Sequence, residues 1–278
     1  MKAVCFLVLA LAALGADVSR IAELKGEPQR KALRTVLTSD SFLDDEKNRD
    51  AVFFFEDRLR PGLRSLISDP KVGDWARYLL AQIGVAEDLG FIISSAPVVS
   101  KPLPNRWACW VACALLEPGS EEEWSFLRKC ALNEYNDLWV DWGAIQTLKL
   151  IASPKSRSLL EDVGRNNEYR AKSVARALEY IQSNPPQLSG RDLEELAGRV
   201  AQAIRIGDWE GNRPPRYNQA GDKALVDLTF YSGSDSLTYT ATFHKAESGW
   251  KLRGVRETYQ AFAPRLSAPK LSAPPGVR

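Results

Sequence analysis

The chain contains one histidine, His244, and this limits the catalytic chemistry that its side chains can perform. A Ser-His-Asp or Cys-His arrangement would need that histidine, and so would most zinc sites. His244 falls on the threonine-rich side of a predicted strand, which favours a structural role. No HExxH, CxxC, phosphate-loop or dinucleotide-binding motif occurs elsewhere in the sequence. The sequence therefore predicts no catalytic residue, no metal site and no cofactor.

Tryptophan is the other chemically informative residue type. Six of the eight tryptophans lie between positions 75 and 142, and four of them form two pairs spaced i, i+3: Trp107 with Trp110, and Trp139 with Trp142. Side chains at that spacing share a helix face, and the two pairs are 32 residues apart, so neighbouring repeats can align them. One interpretation is an exposed strip that binds a peptide, glycan or partner helix, and the other is packing between repeats. The first interpretation makes these four tryptophans the candidate binding residues.

The cysteines leave two alternatives open. Cys5 belongs to an N-terminal apolar run, while Cys109, Cys113 and Cys130 belong to the rest of the chain. Cys109 and Cys113 are four residues apart on one predicted helix, and either can meet Cys130 on the next helix to form a disulfide. Alternatively, all three are buried thiols, because free cysteine packs as a small apolar side chain.

The charge of the chain excludes two classes of partner. A formal net charge of +2 is too small to form an electrostatic footprint for nucleic acid or for an anionic membrane.

A local acidic group suggests a calcium loop, but the spacing and the central glycine of such a loop are missing. Its members are Asp40, Asp44, Asp45 and Asp50. A solvated loop that ends in a helix N-cap accounts for them better.

The first sixteen residues have the three parts of a secretory signal peptide. Lys2 precedes an apolar run from Ala3 to Leu14, and the small residues Gly15 and Ala16 provide a cleavage site. No later stretch has the roughly 18 to 20 apolar residues that a membrane-spanning helix needs. We therefore expect an exported protein, periplasmic or extracellular, that is not inserted in a membrane.

Residues 17–185 have apolar side chains at helical spacing, which predicts an all-α domain. Four segments of this region align, each with a small residue in second place and an aliphatic residue seven positions later. The intervals between them are 32, 35 and 28 residues. They begin at Trp75, Trp107, Trp142 and Arg170. A second helix separates aligned segments, because Ser120 to Glu123 is a capping box and Ser153-Pro154 is a helix start. Such pairs cannot bury their apolar stripes alone, so we predict an α-solenoid of stacked helical hairpins.

Two stretches of this region resemble HEAT repeats. Each has a leucine-rich helix, an Asp-Pro or Asp/Asn turn and an Ala-rich inner helix. They are Leu63 to Val72 running into Trp75 to Gly84, and Leu159 to Val163 running through Asn167 to Ile181. The basic residue usual at the start of the inner helix is present as Arg170 and is replaced by tryptophan at 75, 107 and 142. The resemblance covers about residues 57–183 and implies a HEAT-like solenoid.

The periodicity changes in residues 186–262, which predict a small α+β domain. One amphipathic helix has its apolar face at Leu193, Leu196, Ala197, Val200 and Ile204 and ends at Gly207. Three strands joined by hairpin turns then predict a three-stranded antiparallel sheet. The strands are about Lys223 to Tyr231, Leu237 to His244 and Trp250 to Tyr259. In the middle strand Tyr239 belongs to the apolar face and His244 to the opposite, threonine-rich face.

A helix followed by long hairpins that close on Gly249-Trp250-Lys251-Leu252 is similar to the last half of NTF2-like and cystatin-like domains. Many NTF2-like proteins hold a ligand or an active site in the cone between helices and sheet. The resemblance therefore implies an enzyme or small-ligand carrier as an alternative function, with a cavity facing His244 and Tyr239. Residues 189–260 leave out the further helices that wall such a pocket, so this would be a reduced member.

The sequence thus divides the chain into four parts: a signal peptide at 1–16, a helical repeat domain at 17–185, a small α+β domain at 186–262 and a disordered Pro-rich tail at 263–278. The residues up to about 60 are expected to act as an N-terminal capping unit of the array. We expect an exported, non-catalytic interaction or scaffold protein of the cell envelope, which binds a protein or peptide partner through the helical-repeat surface.

Overall fold

The computed structural model of the chain describes residues 17–39, 45–83, 87–89, 92, 115–134, 140–183, 188–204, 208–212, 214–232 and 235–257. Up to residue 183 these residues form helices, and after residue 188 they form one helix and an antiparallel sheet. The prediction of a helical region followed by a C-terminal α+β part is confirmed. The segments predicted to be a signal peptide and a disordered tail lie outside the described residues, as do Trp107, Trp110, Trp139, Cys109 and Cys113.

The helices are short, and two of them begin with caps that the sequence predicts. The first ones are α1 (Val18–Glu23), α2 (Gly26–Leu37), α3 (Glu46–Phe54), α4 (Glu56–Leu66) and α5 (Gly73–Ile83). The later ones are α6 (Glu121–Ala131), α7 (Val140–Ile151), α8 (Pro154–Asn166) and α9 (Ala171–Ser183), with a 3-10 turn at Glu168–Arg170. Ser120 and Glu123 form a capping box at the start of α6, and Ser153 caps α8 ahead of Pro154. Both predicted helix starts are confirmed.

The helices of this region pack in an alternating order. Helix α7 contacts α6, α8 and α9, and α6 also contacts α8. Nearer the N-terminus α4 contacts α2, α3 and α5, and α3 contacts α5. Within each of these two groups, helices that are two apart contact each other: α2 with α4, α3 with α5, α6 with α8 and α7 with α9. One apolar core extends through both groups from Val18 to Ile181.

Two of the ion pairs between helices join residues at nearly the same sequence distance. Arg34 on α2 donates from Nε to Oδ2 of Asp69 after α4 at 2.6 Å, and the two residues are 35 positions apart. Arg128 on α6 donates from Nε to Oδ2 of Asp162 on α8 at 2.7 Å, and these residues are 34 positions apart. The spacing is close to the intervals between the aligned segments of the sequence.

The C-terminal part consists of helix α10 (Leu193–Ile204) and one antiparallel sheet. The strands are β1 (Ser189–Gly190), β2 (Asp208–Asn212), β3 (Arg216–Tyr217), β4 (Lys223–Ser232), β5 (Asp235–Ala246) and β6 (Gly249–Glu257). Their order is β1-β6-β5-β4-β2, and β3 also pairs with β4. The prediction of three strands is wrong in number, although β4, β5 and β6 lie where the sequence places its three strands. The short β1, β2 and β3 carry no alternating apolar pattern, so only pairing with the edges of the long strands makes them extended.

Both faces of this sheet contain buried residues. The apolar face packs on α10 and includes Val226, Leu228, Ala241 and Phe243. The opposite face holds polar side chains that are buried as well: Asp227, Thr240 and Thr242. A sheet whose polar face is buried must be covered on that side by other parts of the chain, and the ion pairs described below identify them as α3 and α4.

Candidate functional site

His244, the only histidine, is held by a buried carboxylate from the helical region. Its Nε2 atom lies 3.0 Å from Oε1 of Glu56, the first residue of α4. Nζ of Lys223 on β4 donates to the same Oε1 atom at 2.9 Å. The Glu56 side chain is 8% exposed, whereas that of His244 is 36% exposed. Lys223 and His244 face each other across β4 and β5, so one carboxylate binds the adjoining ends of two strands.

A second group of charges lies further along the same sheet face. Arg216 on β3 donates to both oxygens of Asp50 on α3, from Nε at 2.7 Å and from Nη2 at 3.2 Å. It also donates to both oxygens of Asp227 on β4, from Nη1 at 2.8 Å and from Nη2 at 3.2 Å. The Thr240 hydroxyl donates to Asp227 at 2.8 Å. We call the set formed by Asp50, Glu56, Arg216, Lys223, Asp227 and His244 the polar junction.

The protonation equilibria of the polar junction follow from burial and ion pairing. Burial raises the pKa of Glu56, but the hydrogen bond from His244 and the charge of Lys223 outweigh it and lower the pKa to about 2. Burial raises the pKa of Asp50 in spite of the hydrogen bond from Arg216, and the neighbouring carboxylates add to the rise. Burial opposes the charge of Arg216, yet hydrogen bonds to Asp227 and Asp50 raise its pKa. Arg216 and Glu56 therefore stay ionised throughout the physiological range.

The position of His244 bears on the alternative function predicted from the sequence. Continuous pairing of β5 with β4 from Tyr239 to His244 puts these two side chains on opposite faces of the sheet. Tyr239 packs in the apolar core of the C-terminal part, whereas His244 contacts α4. A cavity facing both residues is therefore not formed in this sheet.

The C-terminal part meets the helical region at a second place, which is apolar. The ring of Trp142 on α7 lies 6.3 Å from the ring of Tyr239, centroid to centroid. Leu150, two turns later on α7, is buried in the C-terminal core, and Tyr180 on α9 packs at its edge. Leu116, which precedes α6, belongs to the same core. We call the set formed by Leu116, Trp142, Leu150, Tyr180 and Tyr239 the aromatic junction.

Two polar side chains of α7 lie beside the aromatic junction. Lys149 places Nζ 4.5 Å from the centroid of the Tyr180 ring, which is cation-π distance. Burial lowers the pKa of Lys149 to about 8, and burial also raises the pKa of Tyr180. The Oε1 atom of Gln146 is buried and has no hydrogen-bond partner among the described residues.

Of the four tryptophans predicted to bind a partner, the structure describes Trp142. Its side chain is half-buried and packs on the C-terminal core, so at this position the ring contacts another part of the chain. The predicted strip through Trp107, Trp110 and Trp139 lies outside the described residues and stays a prediction.

The predicted acidic loop divides into residues with different roles. Asp45 accepts a hydrogen bond from the Lys47 backbone N–H at 2.9 Å and caps α3, as expected. Asp50 instead belongs to the polar junction, while Asp40 and Asp44 lie outside the described residues. The described side chains contain no cluster of His, Cys, Asp and Glu that is suited to a metal ion. Cys130 is buried, and both alternatives for the cysteines remain open.

Sequence reasoning missed most members of the two junctions. Asp227 lies on β4 between the apolar residues Val226 and Leu228, on the same sheet face as the threonines of β5. A lone carboxylate within an apolar strand was the one local signal that this face is buried. Glu56, Arg216 and Lys223 are ordinary charged residues in sequence, and only their contacts distinguish them. Lys149 stands between Leu148 and Leu150 in an apolar helix, and that isolated charge was a usable signal for a half-buried lysine.

No helix within the described ranges is both long and apolar enough to cross a membrane. Comparison of the chain with protein-family models, with curated proteins and with solved structures gives no match.

Proposed function

We propose that this chain is an exported, non-catalytic interaction protein of the cell envelope, and that its helices form a HEAT-like solenoid whose surface binds a protein or peptide. The observation that carries the proposal is the alternating packing of the helices, in which ion pairs 34 and 35 residues apart join successive helix pairs. Stacked hairpins produce this order, because each pair needs its neighbours to bury its apolar stripe. An array of this kind offers an extended surface in place of a single catalytic cleft.

The contacts between the C-terminal part and the helices indicate that one part of the proposed solenoid surface binds the C-terminal module and that another part is left for the partner. Side chains of α3, α4, α7 and α9 contact the C-terminal part, through Asp50, Glu56, Trp142 and Tyr180. Of these helices, α7 and α9 are ones that the sequence compares with the inner helices of HEAT repeats. The C-terminal module, which we propose to be a reduced NTF2-like or cystatin-like domain, then covers part of the inner surface. The partner would bind through the tryptophans predicted from the sequence, Trp107, Trp110 and Trp139.

The first arm of the test concerns export. The full chain with a C-terminal tag is expressed in a Gram-negative host, the envelope and cytosolic fractions are separated, and the intact mass of the product is measured. We expect a periplasmic product that begins at Ala16 or Asp17 and a cytosolic product when residues 1–16 are deleted. A full-length chain retained in the cytosol would overturn the export part of the proposal.

The second arm concerns the partner surface. Proteins that crosslink to the tagged chain in its native envelope are recovered by affinity purification and identified by mass spectrometry. The double variant Trp107→Ala/Trp110→Ala should lose the recovered partner, whereas Tyr169→Ala, which removes a 72% exposed ring elsewhere on the array, should retain it. Thermal unfolding of both variants controls for loss of structure. Equal recovery of the same partner by folded variants would contradict the proposed surface.

A further inference from the structure

Three side chains of α7 form a stripe between the helices and the C-terminal module. Trp142, Gln146 and Lys149 are spaced i, i+4 and i+7, which places them on one face of the helix. Each of the three is partly exposed, and so is Tyr180, which flanks the stripe on α9. Tyr239 closes the stripe at its Trp142 end. The stripe is therefore accessible to solvent while having aromatic rings on two sides.

The polar groups of this stripe have unmet bonding capacity. The buried Oε1 atom of Gln146 accepts no hydrogen bond from the described residues. Lys149 has no described carboxylate within ion-pair distance, and burial alone accounts for the lowered pKa of its ammonium group. A buried acceptor without a donor costs free energy, and the Tyr180 ring gives Lys149 a weaker partner than an anion would, so a ligand with a donor and a negative charge would stabilise both groups.

We propose that this stripe binds a small organic anion, whose carboxylate pairs with Lys149, whose N–H or O–H donor bonds to Oε1 of Gln146 when the side-chain amide turns toward it, and whose planar apolar body lies against Trp142 and Tyr180. The donor and the carboxylate of the ligand would supply the partners that Gln146 Oε1 and the Lys149 ammonium group lack among the described residues. A water molecule would satisfy Gln146 but would leave the charge of Lys149 unpaired, so an anion fits both groups better. Gln146 and Lys149 are separated by about 4.5 Å along the helix axis, which suits a donor and a carboxylate on one small ring system.

This proposal does not depend on the proposed partner surface. The residues that would bind the anion are Trp142, Gln146, Lys149 and Tyr180, whereas the partner experiment changes Trp107 and Trp110. A failed partner capture therefore leaves the anion site untouched, and a failed anion titration leaves the partner surface untouched.

The test is isothermal titration calorimetry of the purified protein, with indole-3-carboxylate as the probe. This compound has a carboxylate, an N–H donor and a planar apolar body. Indole-3-carboxamide lacks the charge, and 1-naphthoate lacks the donor. We expect indole-3-carboxylate to bind more tightly than about 1 mM and each of the other two at least tenfold more weakly. Near pH 9 binding should be accompanied by proton uptake, because the anion favours the charged form of Lys149.

Variants then assign the contacts. Lys149→Met keeps the volume of the side chain and should weaken indole-3-carboxylate at least tenfold and abolish the proton uptake. Gln146→Leu should remove the preference for indole-3-carboxylate over 1-naphthoate. The matched control is Lys172→Met, at an exposed lysine of α9. It should change neither the affinity for indole-3-carboxylate nor the preference over 1-naphthoate. The proposal is overturned if the wild-type chain binds the probe more weakly than about 1 mM, or if a folded Lys149→Met variant binds it as the wild type does.

Discussion

The polar junction and the aromatic junction attach the same C-terminal module to the helices by opposite means. At the polar junction the strands meet α3 and α4 through charges that share partners, as Arg216 does with Asp50 and Asp227. At the aromatic junction the sheet meets α7 through the rings of Trp142 and Tyr239. Removing one member of a charge network leaves another charge buried without a partner. Removing one ring costs only the hydrophobic free energy of the apolar surface that it covered.

This difference predicts that the two junctions differ in how strictly they fix the orientation of the module and in how well they tolerate substitutions. Ion pairs with fixed donor geometry align the module in one orientation, because a shifted module would separate Arg216 from Asp50 on α3. Ring contacts are non-directional by comparison and hold the module without selecting a single register. The polar junction should therefore be sensitive to pH and to single substitutions, and the aromatic junction should depend mainly on the size of the side chains. Three substitutions test this comparison.

The largest effect is expected for Arg216→Met. The substitution leaves the carboxylate of Asp227, which is 4% exposed, without its cation, and Asp50 loses the same partner. We expect the free energy of unfolding in urea to fall by about 3 to 5 kcal/mol, the usual result of breaking a buried ion pair.

The control for this substitution is Arg165→Met, at a side chain that is 72% exposed, which should change the stability by no more than about 0.5 kcal/mol. If Arg216→Met does not fold, Arg216→Lys keeps the charge but loses the paired donors and should give an intermediate loss. An effect of Arg216→Met as small as that of Arg165→Met would show that the polar junction contributes little.

A smaller, pH-dependent effect is expected for Glu56→Gln. The pKa of Glu56 is about 2 in the folded chain, below its ordinary value of 4.5, so its ionised form stabilises the fold above pH 4.5. That contribution is lost as the pH falls from 4.5 to 2, because the unfolded chain takes up the proton first. We expect Glu56→Gln to lower the stability by about 3 kcal/mol at pH 7 and by progressively less as the pH approaches 2.

The matched control for Glu56 is its neighbour Asp57, which also contacts Lys223 but is 67% exposed. Asp57→Asn should cost less than about 1 kcal/mol, as exposed ion pairs do. Urea titrations of both variants and the wild type at several pH values provide the measurement. A Glu56→Gln effect that stays constant down to pH 2 would argue against ionic stabilisation.

The smallest effect is expected at the aromatic junction. Trp142→Ala removes a half-buried ring and should cost about 2 kcal/mol, while Trp142→Phe keeps a ring against Tyr239 and should cost about 1 kcal/mol. Neither loss should change between low salt and about 1 M NaCl, because no charge takes part in the contact. A strong salt dependence of the Trp142 variants would remove the distinction between the two junctions.

Local sequence signals were sufficient for most of the secondary structure. The capping box at Ser120, the Ser153-Pro154 start and the long alternating strand around Tyr239 each contain their own signal within a few residues, and each is present in the structure. The two-residue strands β1 and β3 were missed, because their extended conformation depends on pairing with β6 and β4. A strand that is stabilised mainly by its neighbours leaves little pattern in its own residues.

The candidate sites were less accessible to sequence reasoning than the fold. Trp142 was singled out by its spacing, but the spacing could not tell a partner contact from an internal one. His244 was correctly placed on the face opposite Tyr239, yet its partner Glu56 lies 188 positions earlier in the chain. No local pattern relates two residues so far apart in sequence. The contact follows only from the packing of the module on α4.

By itself the sequence determined the helical periodicity up to about residue 183, the change to period two after residue 220 and the side of the strand on which each residue of β5 lies. These properties follow from backbone geometry and from the alternation of apolar and polar side chains. The tertiary structure decided which charges meet, that the threonine-rich face is buried and that Lys149 and Gln146 lie beside aromatic rings. Those properties depend on long-range packing, because the free energy of a buried charge is set by its neighbours in space and not by its neighbours in the chain.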